Sequence, residues 1–154
     1  MSEKQQIGSH TGRLASHAKE TWDAPSKTSL TEAIKEIGII ATVRVPDEQH
    51  LLRVASALLD GGIRALELDY ATIRHAASLI QELKESGLLI GIGAITRSAQ
   101  AREARAFGAD FITASVTTPD VVSACEEMKI PCILSGLTPP RSGEHTKSQQ
   151  TSSR

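Results

Sequence analysis

The sequence predicts an α/β fold in which helices alternate with the strands of a parallel sheet. Between residues 38 and 136 the apolar pattern switches repeatedly between short continuous runs, typical of buried strands, and the spacing of amphipathic helices. One strand–helix unit takes roughly 22 residues, which predicts parallel strands joined by right-handed crossovers. Two architectures fit: a (β/α)8 barrel of the TIM type truncated after about five βα units, and an open five-stranded parallel sheet. The strand count favours the open sheet, whereas the residues at the strand ends favour the barrel.

The elements follow one another with short connections. The first helix is predicted within residues 29–38, "SLTEAIKEIG", where a Ser/Thr cap precedes apolar residues at helical spacing and order is expected to begin near Thr31. Predicted strands cover residues 38–45, 63–70, 88–96, 110–115 and 130–136. Predicted helices cover residues 47–62, 72–87, 98–109 and 118–129, with Asp47 capping the first of them and Pro119 in the first turn of the last.

The chain divides into three predicted regions. Residues 1–30 show no sustained period and are expected to be a flexible N-terminal extension. Residues 31–138 are expected to form the partial barrel. Residues 139–154 contain no Ala, Val, Ile, Leu, Met, Phe, Trp, Tyr or Cys, and are expected to be a disordered tail.

Composition excludes several classes of protein. A net charge of -1 and an aromatic content of 3% argue against nucleic-acid binding, and no apolar run approaches the roughly 18 residues of a membrane span. The five histidines show no ligand spacing and are expected at the surface, and the two cysteines are expected to be packed thiols. We therefore expect no metal site and a cytoplasmic protein, while organelle targeting by residues 1–30 remains open.

Polar residues at the strand ends carry the functional prediction, because sites in parallel α/β folds lie at the carboxyl ends of strands. Glu67 lies within the predicted strand "ALELDY", and a carboxylate in a buried strand needs a partner or a function. One interpretation is a proton-transfer base whose pKa is raised by desolvation. The other is an ion pair with Arg44 that only holds the strands together. Asp69 lies two residues after Glu67 and therefore faces the same side of the strand, so either carboxylate could be the partner of Arg44.

Gly91 and Gly93 in "IGIGAI" allow a backbone or a small ligand to approach closely. No third glycine opens the following helix, so the spacing is not that of a dinucleotide-binding motif. We expect a narrow place at the mouth of the sheet and no bound cofactor.

The order of five segments resembles the 2-keto-3-deoxy-6-phosphogluconate (KDPG) and 4-hydroxy-2-oxoglutarate (KHG) aldolase family. The segments are "IIATVR", "GGIRALELDYAT", "LIGIGAIT", "AREARAFGADFITAS" and "MKIPCILSGLTP". The resemblance covers about residues 31–139, the first five strands of that family's (β/α)8 barrel. It implies a class I aldolase of carbohydrate metabolism, a trimer in intact relatives, which cleaves its substrate to pyruvate and an aldehyde without a cofactor.

The resemblance also implies roles for individual residues. A lysine on the sixth strand forms a Schiff base with the 2-keto group, and Glu67 falls on the position of the glutamate that moves protons. Arg44, Gly91, Gly93 and Thr72 fall on substrate-binding positions.

The chain departs from the family pattern at three polar or turn positions, which are occupied here by Ala71, Ala94 and Ser115. The sixth-strand lysine is absent, and Lys147 has no apolar neighbours to lower its pKa, so we expect no aldolase activity from this chain.

The tail allows a specific hypothesis. With a suitable choice of codons, residues 140–154 read one frame over encode E-I-W-R-A-H-E-V-A-A-D-F-V-K, which restores a helix, a strand and the lysine of the family. We therefore interpret the tail as the product of a frameshift, with a natural disordered tail as the alternative. Two other functions remain open: a non-catalytic partial barrel that binds a partner, and a phosphate-binding barrel isomerase or epimerase.

Overall fold

The computed structural model describes residues 27–135, apart from the side chains of Arg74 and His75, and contains one five-stranded sheet. Its helices are α1 (Lys27–Ile37), α2 (Glu48–Asp60), α3 (Ile73–Glu85), α4 (Ser98–Ala106) and α5 (Pro119–Glu127). Its strands are β1 (Ala41–Val43), β2 (Ala65–Asp69), β3 (Leu89–Ile95), β4 (Phe111–Ala114) and β5 (Cys132–Leu134). The predicted alternation of strands and helices is confirmed.

All four strand pairs are parallel and the strand order is β1-β2-β3-β4-β5. A sequential order with right-handed crossovers places every crossover helix on the same face of the sheet, as in a barrel, whereas a doubly wound sheet reverses its order at a switch point. Within residues 27–135 the sheet does not close. The fold is thus an open sheet with the topology of a truncated barrel, which reconciles the two predicted architectures.

The face of the sheet that packs against α2–α5 forms the main core. Alternate residues of the central strands point to it and are almost completely buried: Leu66, Leu68, Ile90, Ile92 and Ile112. Burying one such side chain stabilises the fold by about 1.5–3 kcal/mol.

The opposite face, which we call the inner face, is covered at its amino-terminal end by α1. Leu30 and Ala33 of α1 form a second buried cluster with Ala65, Leu89 and Phe111 of the strands. The helix begins at Lys27, so the predicted start near Thr31 is wrong. The Thr31 hydroxyl donates to the carbonyl of Lys27 at 2.9 Å, which places Thr31 inside the helix rather than at its cap.

Other local predictions are confirmed. Asp47 is the N-cap of α2 and accepts a hydrogen bond from the backbone N–H of His50 at 2.9 Å. This bond, reinforced by the His50 ring, lowers the pKa of Asp47. His50 is exposed as expected, and Pro119 occupies the first turn of α5. His10, His17 and His145 lie outside the described residues.

A buried carboxylate ties β3 to β4 at their amino-terminal ends. Asp110 is 6% exposed, accepts from the backbone N–H of Ile90 at 2.9 Å and forms an ion pair with Lys84 Nζ at 2.7 Å. The backbone N–H of Asp110 donates in turn to the Ile90 carbonyl. The pair therefore joins the end of α3 to the start of β4.

Strand β1 differs from its prediction. It was expected to be buried on both faces over residues 38–45, but it spans only Ala41–Val43, and Ile39 is 61% exposed. The reason is its position at one edge of the sheet, where no neighbouring strand among the described residues covers it. Strand β5 forms the other edge. No helix within residues 27–135 is both long and apolar enough to span a bilayer.

Candidate active site

The parallel register brings the predicted site residues to one end of the inner face. Glu67 of β2 lies opposite Thr42 of β1 and Gly91 of β3, and Asp69 lies opposite Gly93. Because residues two apart on a strand share a face, Glu67 and Asp69 form consecutive levels towards the carboxyl-terminal end.

Gly93 makes room for the carboxylate of Glu67. A Cβ atom at Gly93 would lie 2.2 Å from Glu67 Oε1 and 2.5 Å from Thr113 Oγ1, distances that no real side chain reaches. The carboxylate and the Thr113 hydroxyl therefore both lie against the bare backbone of Gly93. Glu67 is half-buried and forms no ion pair or hydrogen bond within residues 27–135.

Gly91 serves the same purpose for an aromatic ring. A Cβ atom there would lie 2.0 Å from Cε2 and 2.2 Å from Cζ of Phe111, whose ring is fully buried. The ring fills the inner face beside the level of Glu67 and belongs to the cluster that α1 covers. Both glycines therefore make room for the protein's own side chains, and at Gly91 the narrow place lies in the cluster that α1 covers, not at the predicted mouth of the sheet.

Arg44 pairs with Asp69 and not with Glu67. Its Nε donates to Asp69 Oδ2 at 3.1 Å, and the interpretation that Glu67 is only the ion-pair partner of Arg44 is wrong. The arginine side chain is 71% exposed, so the rest of its guanidinium group faces solvent at the mouth of the sheet.

Asp69 also organises the loop that follows β2. Its Oδ1 accepts from the backbone N–H of Ala71 at 2.9 Å, and its carbonyl accepts from the Thr72 hydroxyl at 2.8 Å. The Ala71 N–H contributes most to the lowered pKa of Asp69, and Arg44 adds to it. Substrate-binding roles for Thr72, Arg44, Gly91 and Gly93 stay predictions.

The carboxyl-terminal end of β3, with Ala94 as its second-last residue, and the loop that follows it are held without a polar side chain at residue 94. Ala94 has φ 62°, an uncommon left-handed conformation for a residue with a Cβ, and the register between β3 and β4 shifts between Ile92 and Ile95. The Gln100 side chain accepts from the backbone N–H groups of Thr96 and Arg97. Ser115 is exposed.

Thr113 lies beside Glu67 but is not among the site residues predicted from the sequence. Its parity with Phe111 in the predicted strand "DFITAS" places it on the inner face, and this signal was sufficient to find it. Its proximity to Glu67 was not accessible, because it depends on the register between β3 and β4.

No described lysine lies near Glu67. Lys27 and Lys35 belong to α1 at the amino-terminal end of the inner face, Lys84 pairs with Asp110 at that same end of the sheet, and Lys129 precedes β5. The residues that the structure describes also contain no group of three His, Cys, Asp or Glu side chains arranged to hold a metal ion.

Comparison with known proteins identifies relatives of this chain. A family model described as KDPG and KHG aldolase matches residues 30–142. The 2-dehydro-3-deoxy-phosphogluconate aldolase of Treponema pallidum is 29% identical over 106 residues, which cover 68% of this chain and 50% of the relative. The corresponding enzyme of Dickeya dadantii is 28% identical over 110 residues, 70% of this chain and 51% of the relative. The chain therefore spans about half the length of these relatives.

Solved structures show the same fold. The KDPG aldolase of Legionella pneumophila, with pyruvate captured as a covalent carbinolamine intermediate, superposes with a TM-score of 0.61 at 25% identity, over 74% of this chain and 55% of that one. The KDPG aldolase of Zymomonas mobilis ZM4, with 3-phosphoglycerate, has a TM-score of 0.64 at 19% identity and supports the fold alone; it covers 75% of this chain and 55% of that one.

Proposed function

The chain belongs to the KDPG and KHG aldolase family, and on that premise we propose that residues 27–135 carry the proton-transfer part of a class I aldolase site. The substrate class is a pyruvate-type 2-keto acid, KDPG or 4-hydroxy-2-oxoglutarate, cleaved to pyruvate and an aldehyde. The observation that supports this most is the Glu67 carboxylate, which has no ion-pair partner among the described residues and lies over Gly93 and beside Thr113 at the carboxyl-terminal end of the inner face.

The position of Glu67 suits the proton transfers of a Schiff-base reaction. A general base takes the proton of the substrate hydroxyl while the carbon–carbon bond breaks and its electrons enter the iminium group. The same group, now protonated, returns a proton to the resulting enamine. Because Glu67 has no ion-pair partner within residues 27–135, neither protonation state disrupts an existing ion pair.

Arg44 is the proposed binding group for the substrate's negative charge. Asp69 holds its Nε, and the remaining guanidinium N–H groups point away from that contact, where they suit a carboxylate or phosphate. The fixed loop at Thr72 borders the same end of the sheet.

We further propose that this chain forms no Schiff base by itself. Each lysine in residues 27–135 belongs to α1 or lies towards the amino-terminal ends of the strands, far from the level of Glu67. Lys147 lies outside the described residues, and its neighbours in the sequence, "EHTKSQQ", are all polar. Treatment with pyruvate and borohydride should therefore leave the mass of the chain unchanged. A trapped adduct on any lysine would refute this part of the proposal.

The role of Glu67 can be tested in a complete barrel. Residues 27–135 joined to the carboxyl-terminal strands of the Legionella pneumophila relative would combine Glu67 with the lysine of that enzyme. Replacing Glu67 by Gln in this chimera should lower kcat by about 10²–10⁴-fold, the usual contribution of a general acid–base group. The matched control is Glu32→Gln on the exposed surface of α1, which should leave kcat unchanged. Equal activity of both variants would show that Glu67 does not transfer protons.

Several features remain proposals by extension from the family: a homotrimer in the intact protein, a cytoplasmic location, the absence of a cofactor and the division of the chain at residues 30 and 138. A non-catalytic binding function is favoured by one observation: no strand within residues 27–135 pairs with the outer edge of β5, where Ile133 is 37% exposed.

A further inference from the structure

A narrow gap separates the Glu67 carboxylate from the Thr113 hydroxyl on the inner face. Their strands, β2 and β4, are not neighbours, because β3 lies between them. Both side chains lean over Gly93, where Glu67 Oε1 and Thr113 Oγ1 come within 2.2 Å and 2.5 Å of the position that a Cβ atom would take. The two oxygens are therefore separated by no more than the sum of these distances. One oxygen atom can bridge such a gap, because two hydrogen bonds of about 2.7–2.8 Å span a greater distance.

The hydrogen-bonding capacity of both groups is unused within residues 27–135. Glu67 has no partner there, and no residue in that range accepts from or donates to the Thr113 hydroxyl. Thr113 is half-buried, and its oxygen is not among the fully buried, unpartnered side-chain oxygens of the described residues, which are those of Ser56 and Thr118. A ligand can therefore reach both groups at once.

The chemistry of the two groups selects the kind of oxygen that fits between them. An ionised carboxylate only accepts hydrogen bonds, whereas a threonine hydroxyl can donate one. A ligand hydroxyl satisfies both, since it donates to Glu67 and accepts from Thr113. A carbonyl or carboxylate oxygen carries no hydrogen and would face Glu67 without a bond.

We propose that Thr113 binds the C4 hydroxyl of a 4-hydroxy-2-keto acid and makes the site selective for substrates that carry this group. The inference rests on the proposed function, in which Glu67 takes the proton of the same hydroxyl. During cleavage that proton moves to Glu67, the oxygen becomes the carbonyl oxygen of the aldehyde, and the electron pair of the broken carbon–carbon bond enters the iminium group. The Thr113 O–H stabilises the negative charge that develops on the oxygen.

Binding to the full-length chain tests this selectivity without a Schiff base. The two ligands 4-hydroxy-2-oxoglutarate and 2-oxoglutarate differ only in the C4 hydroxyl, so the ratio of their Kd values isolates its contacts. Isothermal titration calorimetry should show that the hydroxylated acid binds roughly 2–10-fold more tightly, the usual net value of one hydrogen bond. Thr113→Val keeps the shape of the side chain but removes the hydroxyl, and should bring the ratio close to one. Thr113→Ser keeps the hydroxyl and should preserve the ratio.

The affinity for 2-oxoglutarate separates binding of the hydroxyl from a structural role of Thr113. If Thr113 only packs against Glu67, Thr113→Val will weaken both acids alike or neither of them, and either result would overturn the inference. A ratio near one in the unmodified chain would also overturn it, while leaving the proposed function in place.

Arg44→Gln is the matched control. Arg44 is the proposed partner of the substrate's negative charge, which both acids carry, so this variant should weaken both and keep their ratio. Failure of the full-length chain to bind either acid would contradict the substrate class of the proposed function, and the inference with it.

Discussion

Replacing Gly91 by Ala places a methyl group where the ring of Phe111 already lies. The new Cβ would be 2.0, 2.2 and 2.6 Å from three ring carbons, whereas carbon atoms in contact lie about 3.5–4.0 Å apart. The ring would have to retreat by about 1.5 Å, but it is fully buried among Leu30, Ala33 and Leu89.

The cost can be bracketed from this geometry. Overpacking a core by one methyl group typically costs about 1–3 kcal/mol, and displacing a buried phenylalanine entirely costs about 3–5 kcal/mol. Because the overlap involves three atoms of a rigid ring in an enclosed cluster, we expect a loss of about 3 kcal/mol in the free energy of unfolding.

Urea denaturation followed by circular dichroism measures this loss as a lower midpoint at unchanged slope. If the variant is unfolded without denaturant, both proteins can be compared in sucrose, which strengthens burial. Gly61→Ala is the control, because a Cβ there would meet its nearest atoms at 3.4 Å and φ is -81°. It should change stability by less than about 0.5 kcal/mol.

A double-mutant cycle tests the physical cause. Phe111→Leu replaces the ring by a smaller side chain and so relieves the overlap. The loss in the free energy of unfolding of the double variant, Gly91→Ala with Phe111→Leu, should therefore be about 1–2 kcal/mol smaller than the sum of the two single losses. The reasoning is refuted if Gly91→Ala costs less than about 1 kcal/mol, or if the two losses simply add.

Three further predictions concern the carboxylates. Asp110→Ala should lower the free energy of unfolding by about 2–4 kcal/mol, measured in urea, because it removes the ion-pair partner of Lys84 and the acceptor of the buried Ile90 N–H. Asp110→Asn can still accept from that N–H and should therefore cost less. Equal losses in the two variants would contradict this explanation. The pKa of Asp69 is lower in the folded state, so its stabilisation is present above the unfolded value of about 3.9 and is lost as the pH falls through the folded pKa. Urea midpoints measured below pH 5 should therefore fall more steeply for the wild type than for Asp69→Asn, and parallel profiles would count against the ion pair. Gly93→Ala in the chimeric barrel should lower kcat, because its Cβ displaces the Glu67 carboxylate; unchanged kcat would show that the displacement has no catalytic consequence.

The local pattern of apolar and polar residues was enough to predict much of the fold and part of the candidate site. The order of strands and helices follows from apolar spacing, and Asp47 and Pro119 were recognised as helix-start residues from local chemistry alone. Glu67 could be identified from the sequence alone, because a carboxylate within an apolar strand must have a partner or a function.

Contacts between distant segments were decided by the tertiary structure. Glu67 and Asp69 have the same parity, so only the geometry across β1 and β2 selects Asp69 as the partner of Arg44. The closeness of Thr113 to Glu67 depends on the register of β4 against β3.

The sequence by itself therefore determined which segments form strands and helices, and which side chains share the inner face, because periodicity is a property of neighbouring residues. It did not determine that Gly91 accommodates Phe111 and that Gly93 accommodates Glu67. Those pairings join residues about 20 or more positions apart, and their energies arise from packing and register that exist only once the sheet has formed.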